Sequence, residues 1–201
     1  MPKLFFGLTE EQYEESFDKE FSAFFNQLII DEGGYVTGDQ AKKFKDPGGA
    51  TKYGISLTFL KGLGIDVTND IVNDGVVDER DIVALTQDQA RELYFKYFFN
   101  PLYLKIDNVQ IANKVFNIGV NIGKVKAVEI LQDSVNKTFG APLVVVDGSF
   151  GMKTLAAVNQ VNQQKLYDNY VIAIEVYYTS LNKGQFLAGW IKRAKELLLW
   201  T

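Results

Sequence analysis

The 201-residue sequence contains no histidine and no cysteine. Without histidine, neither Ser-His-Asp nor Cys-His nucleophile pairs can form, and the usual imidazole ligands of catalytic zinc are missing. Without cysteine, disulfides, thiolate nucleophiles and thiolate metal sites are also excluded. Proton transfer near neutral pH therefore falls mainly to carboxylates, with lysine and tyrosine as weaker candidates.

The sequence also lacks a strong excess of either charge and a long apolar run. Its 25 acidic residues against 21 Lys plus Arg give a formal charge of -4, with no block of like charge typical of a nucleic-acid-binding tail. No run of about 18 apolar residues occurs, so we predict no stable membrane insertion. The first residues carry a single lysine, Lys3, and a short apolar patch, which predicts no cleavable signal peptide. Because neither charge is in strong excess, nucleic acid is not an expected partner.

Most of the sequence shows helical periodicity. Thr9 with Gln12, and Thr86 with Gln89, have the spacing of a capping box at a helix start. An apolar stripe of helical spacing follows the first of these and is expected to face the core: Phe17, Phe21, Phe24, Phe25 and Leu28. Boundary signals predict further helices over about 86–100, 109–121, 125–137, 152–159, 164–181 and 185–199. The sequence therefore predicts a mainly α protein.

Residues 32–64 differ from this helical background. Six glycines between residues 33 and 54 crowd together with Pro47, and no continuous helix would tolerate them. Glycines beside acids and tyrosines suit the wall of a cleft, where backbone approaches a ligand closely. We predict a short loop or β-hairpin region that lines a cleft, with a plain flexible loop as the alternative.

No internal repeat and no linker divides the chain. A composition shift near residue 105 indicates two sequence regions, 1–105 and 106–201. We expect them to pack together as one domain.

Three side chains in and beside the glycine-rich stretch could carry carboxylate chemistry. Glu32 follows the first apolar helix where Gly33 and Gly34 turn the chain, and such partly dry surroundings favour the protonated form that a general acid needs. Asp46 and Thr51 lie in one tight turn and offer a second carboxylate and a hydroxyl. In an inverting glycosidase the second carboxylate activates water across the sugar. Asp46 could instead be a turn-forming residue before Pro-Gly.

The motifs EGGY (residues 32–35) and DPGGATKYGIS (residues 46–56) together resemble the signature of glycoside hydrolase family 108 muramidases. The resemblance spans about residues 17–105. It implies a lysozyme-like, mainly α fold that hydrolyses the bond from N-acetylmuramic acid to N-acetylglucosamine, without a cofactor or metal. Glu32 matches the catalytic glutamate of the family. Asp46 and Thr51 resemble the later members of the acid, aspartate and threonine order of phage lysozymes, which would position the attacking water.

The remaining region resembles a predicted peptidoglycan-binding domain, in segments 116–123, 146–155 and 189–190 and at Leu131-Gln132. Bacterial peptidoglycan is thus the expected substrate. Tyr35 and Tyr53 could stack on sugar rings or be half-buried core residues, while Asn121 and Gln132 could bond N-acetyl or hydroxyl groups. Asn121 could instead cap its helix.

Two other functions stay open at this stage. A lytic transglycosylase needs only one glutamate, because the sugar's own hydroxyl displaces the leaving group. A non-catalytic cell-wall-binding or secretion accessory protein would keep the same fold. Relatives of this type include phage endolysins and bacterial enzymes that help release other proteins, so we expect synthesis in the cytoplasm, action on the cell wall, and a holin pore or export machinery as the delivery partner.

The acidic stretch from Asp70 to Asp81 superficially resembles an EF-hand calcium loop. With Gly75 at the sixth position, Val72 falls where the third ligand belongs, and Asp81 stands where a bidentate glutamate is required. A solvated acidic turn is therefore predicted, and no metal site.

Overall fold

The computed structural model describes residues 21–26, 28, 49–64 and 69–196, except the side chain of Gln185. The chain divides into two compact units, residues 25–97 and residues 1–24 with 98–201. The division predicted near residue 105 stays a prediction. Helix α1 comprises the described helical residues 21–26 and 28. Four members of the predicted apolar stripe lie in it and are at most 2% exposed, which confirms their core role: Phe21, Phe24, Phe25 and Leu28. Phe17, Thr9 and Gln12 lie outside the described residues.

The described residues of the unit 25–97 form a β-hairpin and three helices beyond α1. Strands β1 (Thr51–Lys52) and β2 (Ile55–Ser56) pair antiparallel, and they are followed by α2 (Leu57–Gly62), α3 (Glu79–Ala84) and α4 (Gln87–Tyr97). The Ser56 hydroxyl accepts from Phe59 N and caps α2. Asp78 and Asp81 form a reciprocal capping box at α3. Helices α2 and α3 were not predicted, since six residues are too few to show a clear period.

Helix α4 confirms the second predicted capping box. The Thr86 hydroxyl accepts from Gln89 N at 3.2 Å, and Gln89 Oε1 accepts from Thr86 N at 2.9 Å. These two bonds satisfy donors that an uncapped helix start would leave unpaired. The helix ends at Tyr97, three residues before the predicted end. Asn100 instead caps the 3₁₀ helix Pro101–Lys105, where its side chain accepts from Leu102 N.

The unit of residues 1–24 and 98–201 is a helical bundle. It contains α5 (Val109–Ile122), α6 (Lys124–Phe139), α7 (Met152–Gln160), α8 (Gln163–Ser180) and α9 (Gly184–Lys195). Helix α6 packs against α5 and α8, and α9 packs on α8. An aromatic cluster contributes to this core. It consists of edge-on contacts of Phe99 with Phe21, Phe24, Phe116 and Tyr103.

The bounds of α5 to α8 agree with the sequence prediction within two residues, whereas α9 ends four residues early. Glu196 has extended dihedrals, and the carbonyls of Arg193 and Glu196 accept from the Lys114 ammonium at 3.2 and 2.6 Å. Because Lys114 is fully buried, its ammonium must be hydrogen-bonded, and the end of α9 supplies acceptors. A mainly α architecture is confirmed, with one small hairpin among the described residues. Within the described residues, no helix has the length and apolar character needed to span a bilayer.

Candidate active site

The β-hairpin presents two of the predicted site residues, Thr51 and Tyr53. Its two-residue turn is Tyr53-Gly54, and both residues have positive φ, 51° and 75°. Two positive φ angles define the type I′ turn, whose twist matches that of the flanking strands. Asn and Gly are the usual occupants, so a tyrosine here holds a strained conformation. Such strain is characteristic of functional sites and persists only where neighbouring groups hold the turn.

Two side chains from the same unit hold this turn. The hydroxyl of Tyr94, a fully buried residue of α4, donates to the Tyr53 carbonyl at 2.9 Å. The Lys52 ammonium donates to the Val83 carbonyl in the last turn of α3 at 2.7 Å, where the helix dipole favours a cation. The same ammonium lies 5.5 Å from the centre of the Tyr53 ring, within cation–π range. The half-buried Tyr53 is therefore fixed at its backbone and beside its ring.

The Thr51 hydroxyl has a defined orientation. Its Oγ1 donates to the Gly49 carbonyl at 3.2 Å, while Leu57 N donates to the Ala50 carbonyl at 2.9 Å and closes the base of the hairpin. A hydroxyl has one proton and two lone pairs. Since the proton points to Gly49, the lone pairs of Thr51 can accept from a water molecule. Thr51 is half-buried, which suits a group at the edge of a binding site.

Three predicted site residues, Glu32, Tyr35 and Asp46, lie outside the described residues. Their predicted roles stay predictions. Of the predicted set, the structure brings Thr51 and Tyr53 together in one hairpin.

Asn121 lies near the C-terminal end of α5, in the helical bundle. Its side chain is exposed, and Oδ1 accepts from the hydroxyl of the buried Tyr178 at 2.8 Å. The Tyr178 ring stacks on Trp190, with 5.3 Å between ring centres. No partner of the Asn121 Nδ2 group is recorded among the described residues, so this group can donate to an acceptor in solution. The helix is terminated by Gly123, with φ of 89°, and not by a cap from Asn121.

Gln132 occupies a different setting from the one predicted. It is 0% exposed on α6, and both of its amide atoms are bonded within the protein. Nε2 donates to Asp147 Oδ1 at 2.9 Å and to the Ser149 carbonyl at 3.0 Å. Oε1 accepts from Asp147 N at 3.0 Å and from Gly148 N at 2.9 Å. Gln132 therefore fastens the segment 147–149 to α6, and its amide has no accessible surface for the predicted sugar contact.

Gly148 shows how closely this segment approaches α6. Its φ is 72°, and a Cβ atom there would lie 2.6 Å from Cγ1 of Val125. No other residue type fits such a contact without displacing the neighbouring chain. The adjacent Asp147 carboxylate accepts from Gln132 and from Ser149 N, and these bonds lower the pKa of Asp147.

Comparison with known proteins identifies the two regions. The family model described as glycosyl hydrolase 108 matches residues 25–123, and the model described as predicted peptidoglycan domain matches residues 126–195. The chain joins a glycosyl hydrolase 108 domain to a predicted peptidoglycan domain.

The solved structure of SagA from Brucella abortus is similar to this chain. The two are 26% identical with a TM-score of 0.70, over 90% of this chain and 92% of that one. The expected lysozyme-like, mainly α fold is thereby confirmed. A search of curated protein sequences gave no match. The glycosyl hydrolase 108 domain supports a glycoside hydrolase, and the predicted peptidoglycan domain that follows it supports a peptidoglycan hydrolase.

The acidic stretch of the glycosyl hydrolase 108 domain is a hydrogen-bonded turn. The Asp70 carboxylate accepts from Asp74 N at 3.1 Å and Gly75 N at 2.8 Å. The Arg80 guanidinium lies 2.6 Å from the Asp74 carboxylate and also pairs with Asp78. Its hydrogen bond lowers the pKa of Asp78. Backbone donors and an arginine thus occupy these oxygens, and no metal-binding acidic group is found among the described residues.

Tyr94 and Lys52 were not predicted as supports of the hairpin. The Tyr94 hydroxyl bonds a residue 41 positions away, and the Lys52 ammonium bonds one 31 positions away. No local pattern encodes such pairs. The one available signal was the tyrosine of the Tyr-Gly turn, because a tyrosine in this conformation requires an anchor.

Proposed function

We propose that this glycosyl hydrolase 108 domain is an N-acetylmuramidase that hydrolyses the bond from N-acetylmuramic acid to N-acetylglucosamine. The observation that carries the proposal is the orientation of Thr51. Its proton bonds the Gly49 carbonyl at 3.2 Å, which leaves its lone pairs for a proton of the attacking water. A hydrolase needs an ordered water molecule. A lytic transglycosylase does not, because the sugar's own hydroxyl displaces the leaving group.

The chemistry assigns one role to each of three residues. Glu32 donates its proton to the glycosidic oxygen as the bond to the anomeric carbon breaks. A water molecule attacks that carbon, and Asp46 accepts the proton that the water releases. Thr51 accepts a hydrogen bond from the same water and orients its lone pair. The products are two saccharide ends with ordinary hydroxyl groups.

The substrate contacts follow from the aromatic and amide groups. Tyr53 and Tyr35 stack on sugar rings, and the fixed backbone of Tyr53 reduces the entropy lost when the ring is ordered. The Nδ2 group of Asn121 donates to an N-acetyl carbonyl, because Tyr178 already occupies the Oδ1 atom.

The proposed substrate lies outside the cytoplasmic membrane. We therefore propose that the protein is made in the cytoplasm and reaches the cell wall through a holin pore or an export machinery. Delivery through an inducible pore would restrict peptidoglycan cleavage to the time after the pore opens.

Clearance of purified peptidoglycan tests the role of Glu32. Glu32→Gln keeps the shape of the side chain and removes the acid, so we expect a rate at least about 10² lower. Glu92→Gln is the matched control, because Glu92 is an exposed residue of α4. Equal clearance by wild type and Glu32→Gln would contradict the assignment.

Product analysis separates hydrolysis from the two other functions. Mass spectrometry of the digest should show reducing muramic acid ends. Anhydro-muramyl ends would establish a lytic transglycosylase, and binding to sacculi without clearance would establish an accessory protein. Thr51→Val adds a second criterion, since the loss of a water contact slows hydrolysis but not a transfer to the sugar's own hydroxyl. Thr51→Ser, which restores the hydroxyl, should recover the rate.

A further inference from the structure

A cleft lies between α8 and α9 in the predicted peptidoglycan domain. Its volume is about 340 Å³, and it is lined by Tyr167, Asp168, Val171, Ile172, Glu175 and Lys195. This volume is within the range of small-ligand pockets, about 300–1,000 Å³. The five residues from α8 follow helical spacing, so one face of the helix forms a wall and Lys195 of α9 faces it.

Tyr167 lines this cleft, and a turn of its ring would present an unused hydrogen-bonding group to a ligand there. Its hydroxyl oxygen is buried, with no hydrogen-bond partner in the part of the chain that the structure describes. A buried polar atom without a partner is unfavourable, and a ligand that bonds it recovers that loss. Burial, together with the charge of Asp168, raises the pKa of Tyr167. The hydroxyl therefore stays neutral near pH 7 and can donate.

The cleft also carries charges of both signs. The Lys195 ammonium is 3.4 Å from the Glu175 carboxylate, and the two side chains are 60% and 27% exposed. Direct charge-assisted bonds are shorter, about 2.7–2.9 Å. The ion pair is therefore weak, and each of its side chains can also bind a second group of opposite charge. Asp168 already accepts from Gln164 at 2.9 Å.

The remaining wall is aliphatic. Val171 is half-buried, and Ile172 is 52% exposed, a large exposed fraction for an isoleucine. A neutral sugar is commonly bound by flat aromatic faces with hydrogen bonds around the ring. Aliphatic side chains beside an ammonium and a carboxylate better suit a short peptide, which has methyl groups, carbonyls and charges of both signs.

We propose that this cleft binds the peptide stem of peptidoglycan, with a stem carboxylate at Lys195, an amine at Glu175 and a carbonyl that accepts from Tyr167. The identity of the polymer rests on the function proposed above. The predicted peptidoglycan domain then recognises the part of the substrate that the hydrolytic reaction leaves unchanged.

Calorimetric titration with the synthetic tetrapeptide L-Ala-γ-D-Glu-L-Lys-D-Ala tests this proposal. The wild type should bind it. Tyr167→Phe removes one neutral hydrogen bond and should weaken binding about 2–10-fold. Glu175→Gln and Lys195→Met each remove a charged bond and should weaken binding about tenfold or more. Tyr177→Phe, a tyrosine of α8 that does not line the cleft, should keep the wild-type affinity.

The melting temperature of Tyr167→Phe provides a readout that a merely structural role would move in the opposite direction. Because the hydroxyl is buried without a partner among the described residues, its removal should leave the melting temperature unchanged or raise it. A lower melting temperature together with wild-type peptide affinity would overturn the proposal.

Peptide-free glycan strands distinguish failure of this proposal from failure of the proposed function. If the wild type cleaves these strands and does not bind the tetrapeptide, the peptide cleft is refuted and the muramidase stands. If it binds the tetrapeptide in a Tyr167-dependent manner and cleaves neither these strands nor sacculi, the cleft stands and the muramidase is refuted.

Discussion

Replacement of Gln132 by leucine should destabilise the protein without a specific effect on its chemistry. Leucine has a similar size but cannot bond Asp147, Gly148 and Ser149, which the Gln132 amide contacts at 2.9–3.0 Å. A neutral hydrogen bond contributes about 0.5–1.5 kcal/mol, and a buried donor left unpaired costs about 1–3 kcal/mol. Partial exposure of the segment 147–149 lets water replace some partners. We therefore expect the free energy of unfolding to fall by about 2–4 kcal/mol.

Urea unfolding measures this change. The urea midpoint should fall with an unchanged m-value. For a chain of this length each 1 kcal/mol corresponds to about 2–4 °C in melting temperature, so the thermal transition should shift downward by roughly 4–16 °C. Gln164→Leu is the control, because Gln164 is exposed and makes a single bond to Asp168. Its effect should stay within about 0.5 kcal/mol.

The same variant separates a structural role from a substrate contact. If Gln132→Leu keeps the wild-type stability and loses affinity for peptidoglycan, Gln132 does not hold the segment 147–149 and the sugar contact predicted from the sequence is correct. If stability falls and the remaining folded protein clears peptidoglycan at the wild-type rate, Gln132 acts only through the segment that it holds.

Two further changes probe other buried or charged groups. Lys114→Met leaves two carbonyls at the end of α9 without the ammonium that bonds them, and it should lower the free energy of unfolding by about 1–3 kcal/mol in urea titrations; an unchanged midpoint would contradict this. The pKa of Asp147 is lowered by its bonds from Gln132 and Ser149, so its contribution is complete above its ordinary pKa of 3.8 and is lost as pH falls through the lowered value. Thermal melts from pH 7 to pH 2 should show a smaller acid loss in Asp147→Asn than in wild type, and parallel curves would refute the assignment.

The structural features that were predicted correctly have local determinants in the sequence. The Thr86 and Gln89 pair is three residues apart, and the structure forms both of its bonds. Helices α5 to α8 were predicted within two residues because Asn108, Gly123, Gly140 and neighbouring signals end or begin them. The capping box of Asp78 and Asp81 was overlooked, since aspartate stands where glutamate or glutamine is usual.

The parts that the sequence did not reveal depend on distant residues. The partners Asp147, Gly148 and Ser149 of Gln132 lie 15 to 17 positions later in the chain, so its amide looked available for a ligand. The tyrosine in the hairpin turn was predicted as a sugar contact, yet its anchor on α4 is 41 positions away. Burial and pairing between distant residues decide both cases, and neither produces a periodic pattern in the sequence.

The bonds of Lys114 to the end of α9 determine how late during synthesis the helical bundle can finish folding. They join residues 79 and 82 positions apart, so the lysine emerges from the ribosome well before its acceptors do. Until then its ammonium must stay hydrated, and the core around α5 cannot close over it. The helical bundle is therefore expected to complete its packing only when the last helix has emerged, and a nascent chain cut before Arg193 would be open to proteolysis.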